Sequence, residues 1–136
     1  MICGEISQKT IAKKVTYSGI GLHTGAVVDM TFVPAPVNAG ITFKRVDLPG
    51  EPVVPATIDY VCDTARSTTI GYDDIRIHTV EHVLAAINAL SITNLSIEIS
   101  AFEPPIANGG SDLFVASLLE AGIEDQGDKQ SVYRLP

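Results

Sequence analysis

Residues 78–82 read His78-Thr79-Val80-Glu81-His82, an imidazole on either side of a carboxylate. Groups of these types can ligate a divalent metal and move a proton. As written, the segment matches the inverted zincin pattern H-x-x-E-H, in which two histidines four apart bind zinc and the glutamate is the general base. Five residues make a weak match. The pattern also needs His78 inside the helix. Here Asp74-Ile75-Arg76-Ile77 reads as strand and Thr79 as a helix cap, so His78 precedes the helix and the two rings lose their common face. The plainer alternative is a solvated helix face, with Glu81 in the first turn at the positive end of the helix dipole.

The elements that must carry these residues follow from periodicity. In residues 79–90, Val80, Val83, Leu84, Ile87 and Leu90 recur at three- and four-residue spacing, which predicts a helix with one buried face. Glu81 and His82 point away from that stripe, with Ala85 and Ala89 on the same outward side as His82. A second helix is predicted over 111–121 from Phe114, Val115, Leu118 and Leu119, with Ser111 as its cap and Gly122 as its end. Elsewhere the pattern alternates in twos. Val28, Met30 and Phe32 share one face of a strand at 26–33, and residues 41–46 resume the alternation after a Pro- and Gly-rich turn. Further strands are predicted at 10–17, 56–61, 66–71 and 95–100. The expected fold class is α+β: a two-layer sandwich with a mostly antiparallel or mixed sheet and two helices packed on one face.

The chain has 136 residues, of which 46% are hydrophobic and 18% charged, the profile of a single globular domain. Its net charge of −7 repels phosphate backbones and anionic leaflets, which argues against nucleic-acid and membrane-surface partners. No apolar run is long enough to span a bilayer, and no signal segment opens the chain. Cys3 and Cys62 could form at most one bridge, and two free thiols in a reducing cytoplasm is the simpler expectation.

Several blocks, in order, resemble the zinc-dependent UDP-3-O-acyl-N-acetylglucosamine deacetylases. These are Gly19-Ile20-Gly21-Leu22-His23-Thr24-Gly25, Pro34-Ala35-Pro36, Asn38-Ala39-Gly40-Ile41 and Phe43-Lys44-Arg45-Val46-Asp47. They continue with Asp63-Thr64-Ala65-Arg66-Ser67-Thr68-Thr69, Thr79-Val80-Glu81-His82, and finally Glu103-Pro104-Pro105-Ile106 with Phe114-Val115. Their shared order carries far more weight than any one of them.

The resemblance implies a hydrolase that removes the acetyl group from the glucosamine nitrogen of a UDP-linked, O-acylated sugar, in cytoplasmic lipid A synthesis of Gram-negative bacteria. It implies Glu81 as general base and His82 as a zinc ligand. Ala65, Arg66 and Ser67 are implied to line the substrate, as is His23, whose alternative is an ordinary turn residue beside glycines. The family takes two further zinc ligands from a second, C-terminal domain. Residues 1–123 are therefore expected to form the first domain, and 124–136 a linker and the start of the missing second one, or a tail that pairs back on the sheet. The zinc site is then incomplete in this chain, and the chain alone is expected to be inactive. The rival expectation is a non-catalytic binding module of the same fold. Three places depart from the family pattern: Thr93 in place of Asp, the turn at 106–111 in place of Asp-Gly-Ser, and Arg66 in place of an apolar residue.

Overall fold

The computed structural model describes residues 2–106 and 111–133, with side-chain surroundings for 6–106 and 111–129. Its strands are β1 (Ile2–Ile11), β2 (Val15–Ile20), β3 (Val27–Pro34), β4 (Ile41–Arg45) and β5 (Val53–Pro55), then β6 (Val61–Asp63), β7 (Thr69–Tyr72) and β8 (Ile75–Ile77). Helix α1 (Glu81–Ala89), β9 (Leu95–Ile99), α2 (Asp112–Ala121) and β10 (Ile123–Tyr133) complete the chain. The strands form a five-stranded sheet in the order β2-β3-β9-β4-β5, a three-stranded sheet β6-β7-β8 and a ribbon β1-β10. All pairings are antiparallel except β4 with β9. This is the expected α+β sandwich.

The alternation in the sequence produces two unlike sheet faces. Met30, Phe32, Phe43, Ile97 and Ile99 are fully buried, and all but Ile99 join one cluster with Val83 and Ile87 of α1 and Phe114 and Leu118 of α2. The ring of Tyr17 on β2 meets that of Phe114 edge-on at 5.4 Å between centroids. On the other face Lys44 stands beside Glu98, its partner in register, and near Glu51.

Several boundaries differ from expectation. Residues 10–17 are two strands, because β1 pairs with β10 while β2 pairs with β3, and exposed Lys13 and Lys14 lie in the connection. Residues 56–60 are not a strand. β5 stops at Pro55, a single 3-10 turn covers Ile58–Tyr60 with Ile58 85% exposed, and strand resumes only at Val61. The strand expected at 66–71 begins only at Thr69. Residues 123–133 pair with β1, and the turn at 107–110 lies outside the described residues, as does the end of the chain from 134. Cys62 is an exposed free thiol.

The start of α1 also differs. Thr79 is not a cap: it has φ 58°, and no side-chain bond caps the helix at Val80. A left-handed conformation is unusual for a β-branched residue. The N–H of Val80 instead donates to the carbonyl of Thr68 at 3.2 Å, so the chain entering β7 does the work of a cap. Ser111 occupies the cap position of α2, again without a side-chain bond. Gly122 ends α2 at φ 85°, its N–H shared between the carbonyls of Leu118 and Leu119.

Candidate active site

The segment joining β6 to β7 forms one wall of a cavity of ≈ 240 Å³. His23, Asp63, Ala65, Arg66, Ser67, Thr69 and His78 line it. All four residues singled out as substrate-lining, His23, Ala65, Arg66 and Ser67, thus meet at one place. Asp63 shapes the segment, its Oδ1 accepting the N–H of Ala65 at 2.9 Å. His78 precedes α1, as the strand-like residues before it suggested, and its Nδ1 lies 3.0 Å from Thr69 Oγ1. Its ring also meets Phe102 edge-on.

Glu81 and His82 open α1, both half-buried, with Ala85 and Ala89 exposed further along. The Glu81 carboxylate accepts the backbone N–H of Thr68 at 3.1 Å. Glu81 does not line the cavity, but Thr68 lies between the lining residues Ser67 and Thr69, so the bond ties Glu81 to the backbone behind the wall. His82 is not among the lining residues. It makes no side-chain hydrogen bond among the described residues, and no three His, Cys, Asp or Glu side chains converge there to form a metal site. An imidazole and a carboxylate at consecutive positions of α1 are of a chemistry that zinc accepts.

Asp63, Thr69 and His78 line the cavity without having been singled out as substrate-lining, and Glu103, behind His23, was given no role in the sequence. Glu103, 1% exposed, follows β9 and reaches the turn after β2. Its two oxygens accept the N–H of His23 at 2.9 and 3.1 Å and that of Thr24 at 2.9 Å, and Oε1 lies 3.0 Å from His23 Nδ1. Burial by itself would raise the Glu103 carboxyl. The hydrogen bonds from Thr24 and His23 outweigh it and hold the group below its ordinary value. A glutamate followed by two prolines shows no sign of such burial in the sequence. Its partners lie 79 and 80 positions away.

The family profile for UDP-3-O-acyl N-acetylglycosamine deacetylase matches residues 8–136. The chain belongs to this family. It is 48% identical over 126 residues to a bifunctional enzyme LpxC/FabZ of Chlorobaculum tepidum, an alignment covering 93% of this chain and 27% of that protein. It is 42% identical over 130 residues to the UDP-3-O-acyl-N-acetylglucosamine deacetylase of Teredinibacter turnerae (96% of this chain, 43% of that one). The deacetylase of Chlamydia abortus is also 42% identical, over 131 residues, with 96% and 46% covered. The chain therefore spans less than half the length of these deacetylase relatives. No helix among the described residues is long and apolar enough to cross a membrane.

Proposed function

We propose that this deacetylase-family chain is the N-terminal half of a zinc-dependent amide hydrolase. It acts on UDP-3-O-acyl-N-acetylglucosamine in the cytoplasmic steps of lipid A synthesis. The observation that carries this reading is the link between Glu81 and the cavity through Thr68. It ties a carboxylate to the segment that walls a pocket gathering His23, Ala65, Arg66 and Ser67. In this reading His82 is a zinc ligand, and the remaining ligands come from a second domain of the same protein. Zinc, when bound, supplies a water acidified toward a pKa of about 7 and a positive charge for the acyl oxygen.

The residues of this chain do the rest. Glu81 takes a proton from the attacking water and can return it to the departing sugar nitrogen. The N–H of Thr68 holds one carboxylate oxygen and leaves the other free. Arg66 offers a fork of donors to the anionic nucleotide portion, and Ser67 and His23 offer single polar contacts. On its own the chain binds zinc weakly and does not turn over substrate.

The test is zinc stoichiometry and deacetylation for this chain alone and for the chain joined to a second domain from a relative, each with His82→Ala alongside. The expected result is weak zinc binding and no turnover for the chain, and tight binding and turnover for the joined protein, both lost in His82→Ala. Zinc-dependent turnover by the chain alone would overturn the half-site reading. An inactive but folded, zinc-loaded joined protein would overturn the deacetylase assignment.

A further inference from the structure

His23 is 60% exposed at its side chain and Glu103 2%, yet the two are in direct contact. The buried partner sets the state of the exposed one. A carboxylate can only accept hydrogen bonds, so a ring nitrogen 3.0 Å from Glu103 Oε1 must carry the proton. That nitrogen is Nδ1. The N–H groups of His23 and Thr24 occupy the same carboxylate, so this buried group cannot swing away from the ring without giving up two of its donors.

The backbone makes room for this approach. A Cβ at Gly21 would lie 3.1 Å from Glu103 Oε2 and 3.2 Å from Val28. Gly21 also bridges to Pro105, and Ile106 donates to Ile20, so the loop after β9 is stitched to the end of β2 just beyond the carboxylate.

We propose that Glu103 is a positioning residue. It holds His23 as the Nδ1–H tautomer, leaving Nε2 as the free nitrogen of a cavity-lining ring, where it accepts a hydrogen bond from a hydroxyl or N–H of the bound sugar. The substrate half of this proposal rests on the deacetylase reading above; the tautomer half does not. Free histidine prefers its proton on Nε2, so the protein is selecting the less favoured form. A ring without Glu103 would offer a donor where the site needs an acceptor.

The first measurement is histidine-ring nitrogen NMR on the ¹⁵N-labelled chain in alkaline buffer. His23→Gln assigns the signal. The expected spectrum shows a protonated Nδ1 and a bare Nε2 for His23, relaxing toward the Nε2–H form in Glu103→Gln. A wild-type ring protonated on Nε2 overturns the proposal, and that reading needs no variant to fold beyond wild type.

The second measurement is kcat/KM for the enzyme completed by its second domain. His23→Gln and Glu103→Gln are each expected to lose about tenfold, and the double variant no more than either alone. Losses that multiply to about a hundredfold mean that Glu103 supports the fold independently of His23, and overturn its positioning role. A completed protein that folds, binds zinc and never deacetylates sinks the deacetylase reading and the sugar contact with it. The tautomer spectrum still decides what Glu103 does to His23.

Discussion

The polar cluster around Asn94 and the one around Glu103 are both buried, but they are built from different chemistry. Asn94 is 1% exposed and Gln8 2%. Asn94 donates to Gln8 Oε1 at 2.9 Å and to Gln126 Oε1 at 2.8 Å, and accepts the N–H of Gly40 at 2.9 Å. Gln8 bonds in turn to Asn38, and Gln126 to the carbonyl of Ala35. Every member is a neutral amide that both donates and accepts, so the cluster closes on itself and locks the β1-β10 ribbon against the turn before β4. Glu103 is an anion that only accepts. It draws its donors from one turn and ends on an imidazole with a nitrogen to spare. A closed network holds the fold, and an open-ended one presents a group to a ligand.

Breaking each side in turn sharpens this contrast. The largest effect is expected on the reactive side. Glu81→Gln in the completed enzyme should lower kcat by about 10²–10⁴-fold, because general-base help is lost while the Thr68 bond can persist. Steady-state deacetylation checks this, and activity within a few-fold of wild type would place the base elsewhere.

On the closed side, Asn94→Ala leaves Gln126 Oε1 and the N–H of Gly40 without their partners and removes one of the two donors on Gln8 Oε1. It should cost about 3 kcal/mol in urea unfolding of the chain. A cost below about 1 kcal/mol would show that water can replace the network.

Glu103 is the intermediate case, and pH separates it from the amides. Its carboxyl is held below the ordinary value in the fold, so its stabilisation is complete above the unfolded-state range near about 4.3. That stabilisation is lost as pH falls through the lower folded value. The melting-temperature gap between wild type and Glu103→Gln should therefore be widest near neutrality and narrow in acid. The gap for Asn94→Ala should not change over the same window through any titration of its own.

The smallest effect is expected on the solvated face of the sheet. Lys44 lies 3.6 Å from Glu51 and 3.9 Å from Glu98 and is a third exposed. Lys44→Ala should change stability by less than about 1 kcal/mol, with salt reducing even that.

Strands β3, β4 and β9 and the buried face of α1 were legible because their periods are written along a few consecutive residues; on α2 Phe114 and Leu118 are buried as expected, but Leu119 of the same expected stripe is 56% exposed. The position of His78 before α1 was legible for the same reason. So was the gathering of His23, Ala65, Arg66 and Ser67, though through family resemblance and not through periodicity. The cap of α1 was misread. Thr79 has the right side chain for it, but a neighbouring carbonyl at Thr68 satisfies Val80 and leaves Thr79 at positive φ.

The sequence by itself determined the sandwich class, the outward placement of Glu81 and His82, and the glycine stop of α2. Each depends on side chains within a turn or two of one another. Only the tertiary structure decided that residues 10–17 serve two sheets, that β10 returns to β1, and that Glu103 lies buried against His23. Those outcomes depend on which distant segment supplies the partner. A buried carboxylate is stable only where such a segment brings it enough N–H donors.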